Sequence, residues 1–131
     1  MKHHEPLISI VDDDESLREA VQALLESVGR RAVAFVSAEQ FLASSAVGTA
    51  DCLILDLRMP GMTGLELHLR MLAAGYRIPT IVLTAHANDM TRAEALVAGA
   101  AVVLPKPFQA DILLEAVEAS LRTPRDVSDE P

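Results

Sequence analysis

The chain has 131 residues, 19 of them acidic and 11 basic, for a net charge of −8. That length suits one domain with one core, and the charge argues against direct binding to nucleic acid or to an anionic membrane surface. Half of the residues are hydrophobic but only 3% are aromatic and none is Trp, so the chain reads as globular with an aliphatic core.

Met1 to Pro6 is polar and too short for a signal peptide. No apolar run is long enough to span a bilayer, so a cytoplasmic location without a membrane is expected. Leu7 to Val11 is a β-branched apolar run, hence a first strand, and it ends in Asp12-Asp13-Asp14-Glu15. Leu17, Ala20, Val21, Leu24, Leu25 and Val28 then recur at helical spacing. Asp14 is the expected N-cap, Glu15 suits the positive end of the helix dipole, and Gly29 caps the far end.

Ala32 to Val36 reads as a second strand. Ser37-Ala38-Glu39-Gln40 has capping-box spacing and predicts a helix carrying Phe41 and Leu42, while Ser44 to Thr49 reads as a loop of small residues. Cys52 to Leu55 is a buried strand ending on Asp56, followed by a loop with Pro60, Gly61 and Gly64. Cys52, the one cysteine, excludes an internal disulfide, fits a reducing cytosol and is expected in the core. Thr63 to Glu66 repeats the capping-box pattern and opens a helix that stops at Gly75.

Ile78 to Thr84 is the fourth strand, with Pro79 at its start, where proline is tolerated. Asn88 or Asp89 opens a helix through Val97, capped by Gly99, and Ala101 to Leu104 is the fifth strand. Pro105 to Phe108 breaks the chain, and Ala110 to Leu121 is a final helix built on Ile112, Leu113, Ala116, Val117 and Leu121. One domain is therefore expected over 7–122, with 123–131 as a polar tail or the start of a linker.

Strands alternating with helices give an α/β fold with a parallel sheet covered on both faces. The expected architecture is a flavodoxin-like (βα)5, doubly wound around five strands in the order 2-1-3-4-5. Its switch point lies between strands one and three, where Asp12, Asp13 and Asp56 should converge.

Three carboxylates at one mouth repel each other, so without a cation at least one pKa should rise. Oxygen-only ligation by a few carboxylates and water suits Mg²⁺, and Mn²⁺ could substitute. Thr84 brings a hydroxyl from the end of strand four and Lys106 an ammonium from the end of strand five. Acid pair, acid, hydroxyl and ammonium together form the inventory for phosphoryl transfer to a carboxylate.

Asp12-Asp13, Asp56 followed by Met59-Pro60 and Gly64, Thr84-Ala85, and Lys106-Pro107-Phe108 resemble bacterial response-regulator receiver domains. The resemblance covers Leu7 to Leu121, and the run from Asp56 to Leu67 looks most like the FixJ-type branch, whose members usually carry a C-terminal helix-turn-helix output domain. It implies that Asp56 is the phosphoacceptor, that Asp13 ligates Mg²⁺ directly and Asp12 through water, and that the Arg58 carbonyl is a further ligand. It implies that Thr84 and the Ala85 amide receive phosphoryl oxygens, that Lys106 pairs with one, and that the Lys106–Pro107 bond is cis. The implied partners are a sensor histidine kinase or phosphotransfer protein, and a second copy of the chain in a phosphorylation-dependent homodimer. The implied output face is the fourth helix, fifth strand and last helix. Val103 departs from the pattern, standing where receivers usually carry Tyr or Phe, and Arg58 and His86 fall at positions that vary in the family and tune phosphoryl lifetime.

On this reading the chain is no enzyme beyond its own phosphorylation and dephosphorylation. It is either a stand-alone receiver or the regulatory part of a transcription factor. A small Mg²⁺ phosphatase commonly has a second acid two residues after its nucleophile, where this chain has Arg58. A flavodoxin-like cofactor binder needs a phosphate loop after strand one, where Asp12 to Glu15 would repel phosphate. A degenerate receiver acting only as an interaction module is disfavoured because every phosphorylation residue is present.

Overall fold

The structure is a computed structural model and describes residues 5–85, 88–97 and 99–122. His3, His4, His86 and the tail 123–131 lie outside the described residues. Strands β1 (Leu7–Val11), β2 (Arg31–Phe35), β3 (Cys52–Leu55), β4 (Thr80–Thr84) and β5 (Val102–Pro105) pair in parallel, in the order β2-β1-β3-β4-β5. This is the expected doubly wound, flavodoxin-like sheet.

Helices α1 (Glu15–Ser27), α2 (Ala38–Leu42), α3 (Ala46–Thr49), α4 (Gly64–Ala73), α5 (Asp89–Val97) and α6 (Ala110–Leu121) connect and follow the strands. The caps are the ones the side chains dictate. Asp14 accepts from the N–H groups of Ser16 and Leu17, and Asn88 accepts from Thr91 at 2.8 Å. Thr63 and Glu66 form a reciprocal capping box, which typically contributes about 1 kcal/mol through the N-cap. Only half of the box forms at Ser37. Its side chain caps Gln40 N–H, but the Gln40 amide oxygen accepts from Val36 instead, one residue further back.

The strand side chains alternate between two cores. Ile8 and Ile10 of β1, Cys52 and Ile54 of β3, and Ile81 and Leu83 of β4 pack with Val21 and Leu25 of α1 and Leu113 and Val117 of α6. Val11, Leu53 and Leu55 face the opposite layer with Phe41, Leu67 and Met71, where Phe35 and Phe41 meet edge to face with centroids 5.3 Å apart. A smaller third cluster under α5 holds Leu57, Val82, Ala95, Ala100 and Val103. Each fully buried aliphatic side chain contributes roughly 1.5–3 kcal/mol, so the two large clusters dominate stability.

Two local expectations are corrected. The segment read as a loop before β3 contains the short helix α3, because Ala46 and Ala50 are buried and the Ala50 N–H closes a turn on the Ala46 carbonyl at 2.8 Å. Small residues without a period give no sign of this. β4 begins at Thr80, two residues after Ile78, since Pro79 has no N–H to donate to a ladder. The Pro79 carbonyl still accepts from Leu53 at 2.9 Å.

Arg30, between α1 and β2, makes a two-point ion pair with Glu118 of α6 (Nη2–Oε1 2.6 Å, Nε–Oε2 2.9 Å), tying together the two helices that cover one sheet face. The hydrogen bond from Arg30 holds the Glu118 carboxyl below its ordinary value, and the same bond raises Arg30. A depressed carboxylate stabilises the fold above its unfolded pKa and loses that contribution as pH falls through the folded one. Glu118→Gln should therefore cost about 0.5–1 kcal/mol at pH 7, the upper end for partly exposed pairs, and progressively less as pH falls below the ordinary glutamate range. Urea unfolding of both proteins across the acid range checks this, the expected result being a midpoint difference that is full at pH 7 and shrinks as the pH is lowered.

Candidate functional site

β1 and β3 are adjacent central strands, so their carboxyl ends set Asp12 beside Asp56. Asp12 N–H prolongs the ladder to the Phe35 carbonyl (3.2 Å), and Asp56 N–H donates to the Val11 carbonyl (3.1 Å). Asp12 is 1% exposed and Asp56 6%, whereas Asp13 is open to solvent. One carboxylate oxygen from each of the three lies within 4.8 Å of the others.

Lys106, just beyond β5, reaches across the end of β4 into this cluster. Its ammonium lies 2.8 Å from Asp12 Oδ2 and 3.2 Å from Asp56 Oδ2. The remaining oxygens meet backbone donors: Asp14 N–H at 2.9 Å on Asp12 Oδ1, and Arg58 N–H at 3.2 Å on Asp56 Oδ1. The Lys106 backbone is registered by its own N–H on the Thr84 carbonyl at 3.0 Å, and the Lys106–Pro107 peptide bond is cis.

Burial is the first cause that raises the Asp12 carboxyl above its ordinary value, and the negative charge of Asp56 adds to it. The hydrogen bonds from Lys106 and Asp14 pull the other way. The rise that like-charge repulsion led us to expect is thus chiefly a desolvation effect at Asp12. Burial also works against the Lys106 ammonium, yet the hydrogen bond and charge of Asp12, with Asp56 behind it, hold it above lysine's ordinary value. One ammonium facing three carboxylates leaves negative charge uncompensated. All three donors are hard oxygens and one is solvent-accessible, so the set fits a small divalent cation such as Mg²⁺ that keeps part of its water shell.

The other sequence-selected residues fall along the same edge. Thr84 is buried at the end of β4, Ala85 follows it exposed, and Arg58 offers its main chain to Asp56 with its side chain in solvent. Val103 lies deeper in β5, 2% exposed, among Val82, Ala95 and Ala100. Cys52 is fully buried and its thiol is pushed up to about 12 by burial, which makes it an inert core group. Two contacts were not read from the sequence. Arg18 Nη1 donates to the Asp12 carbonyl at 2.8 Å, and Glu39 of α2 accepts from Met62 N–H at 3.0 Å in the loop after Asp56. Both residues sit in helical patterns as ordinary polar positions, and no local spacing marks them.

Gly64 is the point where α4 presses against the site. Its N–H donates to the Leu57 carbonyl at 3.0 Å, and a Cβ there would stand 2.1 Å from the Asp56 carbonyl oxygen and 2.8 Å from Leu57 Cα. Both obstacles are backbone, which cannot turn aside like a side chain. Gly64→Ala should destabilise the protein by about 3 kcal/mol, the upper end of overpacking costs. Denaturant unfolding checks this through a lowered midpoint at unchanged m-value.

The chain matches the response regulator receiver domain family over residues 8–118. It is 38% identical to the response regulator protein TmoT of Ectopseudomonas mendocina over 122 residues, 93% of this chain and 56% of that protein. It is 39% identical to the transcriptional regulatory protein FixJ of Azorhizobium caulinodans over 114 residues, 87% of this chain and 54% of that one. The chain thus spans about half the length of the curated relatives it matches. Among solved structures it superimposes on FixJ-N with a TM-score of 0.82 at 34% identity, covering 92% of this chain and 96% of that one. The response regulator StyR gives 0.83 at 40%, with coverages of 91% and 60%. With this match over nearly all of the sheet and helices, the chain belongs to the response regulator receiver domain family of two-component signalling.

Proposed function

We propose that this chain is a phosphorylation-controlled switch in which Asp56 accepts a phosphoryl group from the phosphohistidine of a sensor kinase or phosphotransfer protein. The observation that carries this reading is the buried Asp56 carboxylate held between Lys106 and the Arg58 amide, with Asp12 and Asp13 beside it. A carboxylate is a competent nucleophile toward phosphorus when the transferred oxygens are neutralised. Asp13, Asp12, Asp56 and the Arg58 carbonyl would hold Mg²⁺, which supplies that neutralisation when bound. Lys106 would take one phosphoryl oxygen, and Thr84 with the Ala85 amide the others.

The readout would pass to the α5–β5–α6 face. Met90 and Val97 of α5 are 73% and 89% exposed, and Ile112 of α6 contributes to a groove of about 920 Å³ that also holds Gly99, Val102 and Ala116. Arg92 of α5 donates to the Val103 carbonyl at 3.1 Å, so the helix is tied to the strand that leads into Lys106. Val103 has one stiff χ angle and cannot swing between surface and interior as an aromatic would. Movement of the β4–α5 connection would therefore carry the signal. The expected output is transcriptional, through a phosphorylation-dependent homodimer or a linked output domain, with no direct nucleic-acid contact by this chain and in the cytoplasm.

Two outcomes test the reading. Asp56→Asn should abolish labelling by a small phosphodonor with Mg²⁺, followed by phosphate-affinity gel or mass spectrometry, and undiminished labelling would falsify the assignment. Asp13→Ala should lose Mg²⁺ binding more completely than Asp12→Ala, because only Asp13 is exposed enough to meet a hydrated cation directly. Parallel calorimetric titrations measure this, and equal affinity in Asp13→Ala and the parent would refute it.

A further inference from the structure

The peptide joining Asp12 to Asp13 is clamped by a side chain that none of the proposed roles uses. Arg18, in the second turn of α1, reaches back so that Nη1 donates to the Asp12 carbonyl at 2.8 Å. That carbonyl is the first one past the end of β1. The base of the side chain is fixed in turn, because Arg18 N–H donates to the Asp14 carbonyl at 3.0 Å and Asp14 N–H donates to Asp12 Oδ1 at 2.9 Å. Asp12, Asp14 and Arg18 thus close a ring of three hydrogen bonds around the start of α1.

We propose that Arg18 is a positioning residue for the divalent-cation site of Asp12, Asp13 and Asp56, holding the Asp12–Asp13 peptide plane so that both carboxylates point into one mouth. This rests on the metal-dependent reading given above. The Asp12 carbonyl and the Asp13 N–H belong to one rigid plane, so a change in the Asp12 ψ angle turns that plane and carries the Asp13 Cα–Cβ bond with it. Asp13 is exposed, and no hydrogen bond to its own carboxylate is seen among the described residues to orient it. Its direction is set by the backbone, and the backbone at this point is set by Arg18. A planar guanidinium on a carbonyl fixes orientation better than the point charge of an ammonium. Groups that orient metal ligands from behind are typically as consequential for affinity as this geometry suggests.

The test is Mn²⁺ titration by electron paramagnetic resonance on the full chain, with Mg²⁺ competition, for the parent, Arg18→Met and Arg18→Lys. The Met variant should bind Mn²⁺ roughly tenfold more weakly, the low end for groups that orient ligands. The Lys variant should recover part of this and stay weaker than the parent by about threefold, since a flexible ammonium lacks the pre-organised planar geometry of a guanidinium. The rise in melting temperature produced by Mg²⁺ should shrink in the Met variant in step with the affinity. A purely structural Arg18 would lower the melting temperature with and without metal alike and leave that rise intact, which would overturn the proposal. Parental Mn²⁺ affinity in a folded Met variant overturns it too. Should the Met variant not fold, the Lys variant decides alone, and unchanged affinity there has the same consequence. If the parent itself binds no Mn²⁺ in a manner dependent on Asp13, the metal-dependent reading falls and this inference with it.

Discussion

The structure is organised around an electrostatic imbalance. Asp12 and Asp56 are buried side by side at the ends of two central strands, Asp13 stands next to them, and the ammonium of Lys106 pairs with the two buried acids. Burial of carboxylates is costly, and it is tolerated here because each buried oxygen meets a charge or a backbone N–H. Negative charge is left uncompensated at this mouth, and Asp56 is held in a buried, fixed position between Lys106 and the Arg58 N–H. Lys106 can reach both acids only because β5 lies next to β4 and the chain turns inward after Pro105, registered by the Lys106–Thr84 backbone hydrogen bond.

Such an arrangement needs a platform that does not give way. The parallel sheet supplies it by burying both faces: alternate residues of β1 and β3 enter the two large cores, and those of β4 one large core and the small cluster under α5, so none of these strands can slip by one residue without exposing both sets. The loops at the carboxyl ends are then free to carry chemistry while main-chain hydrogen bonds hold them close. The approach of α4 is the tightest of these. Gly64 meets the Asp56 carbonyl at a distance that admits no side chain, so the start of α4 is packed directly against the strand end that carries Asp56.

The α5–β5 side is built differently. Its cluster has five buried members, against ten or more in each main core, and α5 turns Met90, Leu96 and Val97 to solvent. Few buried contacts mean a low local cost of rearrangement. The element best able to shift is therefore the one that adjoins Thr84, Val103 and Lys106, and the Arg92 contact to the Val103 carbonyl ties helix to strand there. Rigid acids on one side and a loosely packed helix on the other are what a switch requires, since a modest number of charge-assisted hydrogen bonds can bias only an element that is nearly balanced.

Much of this was legible in the residues. Apolar runs bounded by turns gave the five strands, capping residues gave most of the helix starts, and alternation of the two element types gave the parallel sheet, whose order is the one expected among the few right-handed topologies. The acids at the ends of strands one and three were visible because strand ends at a switch point are neighbours whatever the loops do. What the chain could not disclose was what depends on contacts between distant segments. α3 forms because Ala46 and Ala50 find a core to enter, the Gln40 amide oxygen accepts from Val36 N–H rather than closing the box, and the desolvation that lifts Asp12 exists only once the sheet has closed around it. Arg18 and Glu39 looked like ordinary helix-surface polar residues. Their hold on the site is a property of the angle at which α1 and α2 leave the sheet, and that angle is set by packing, to which periodicity and local motifs are blind.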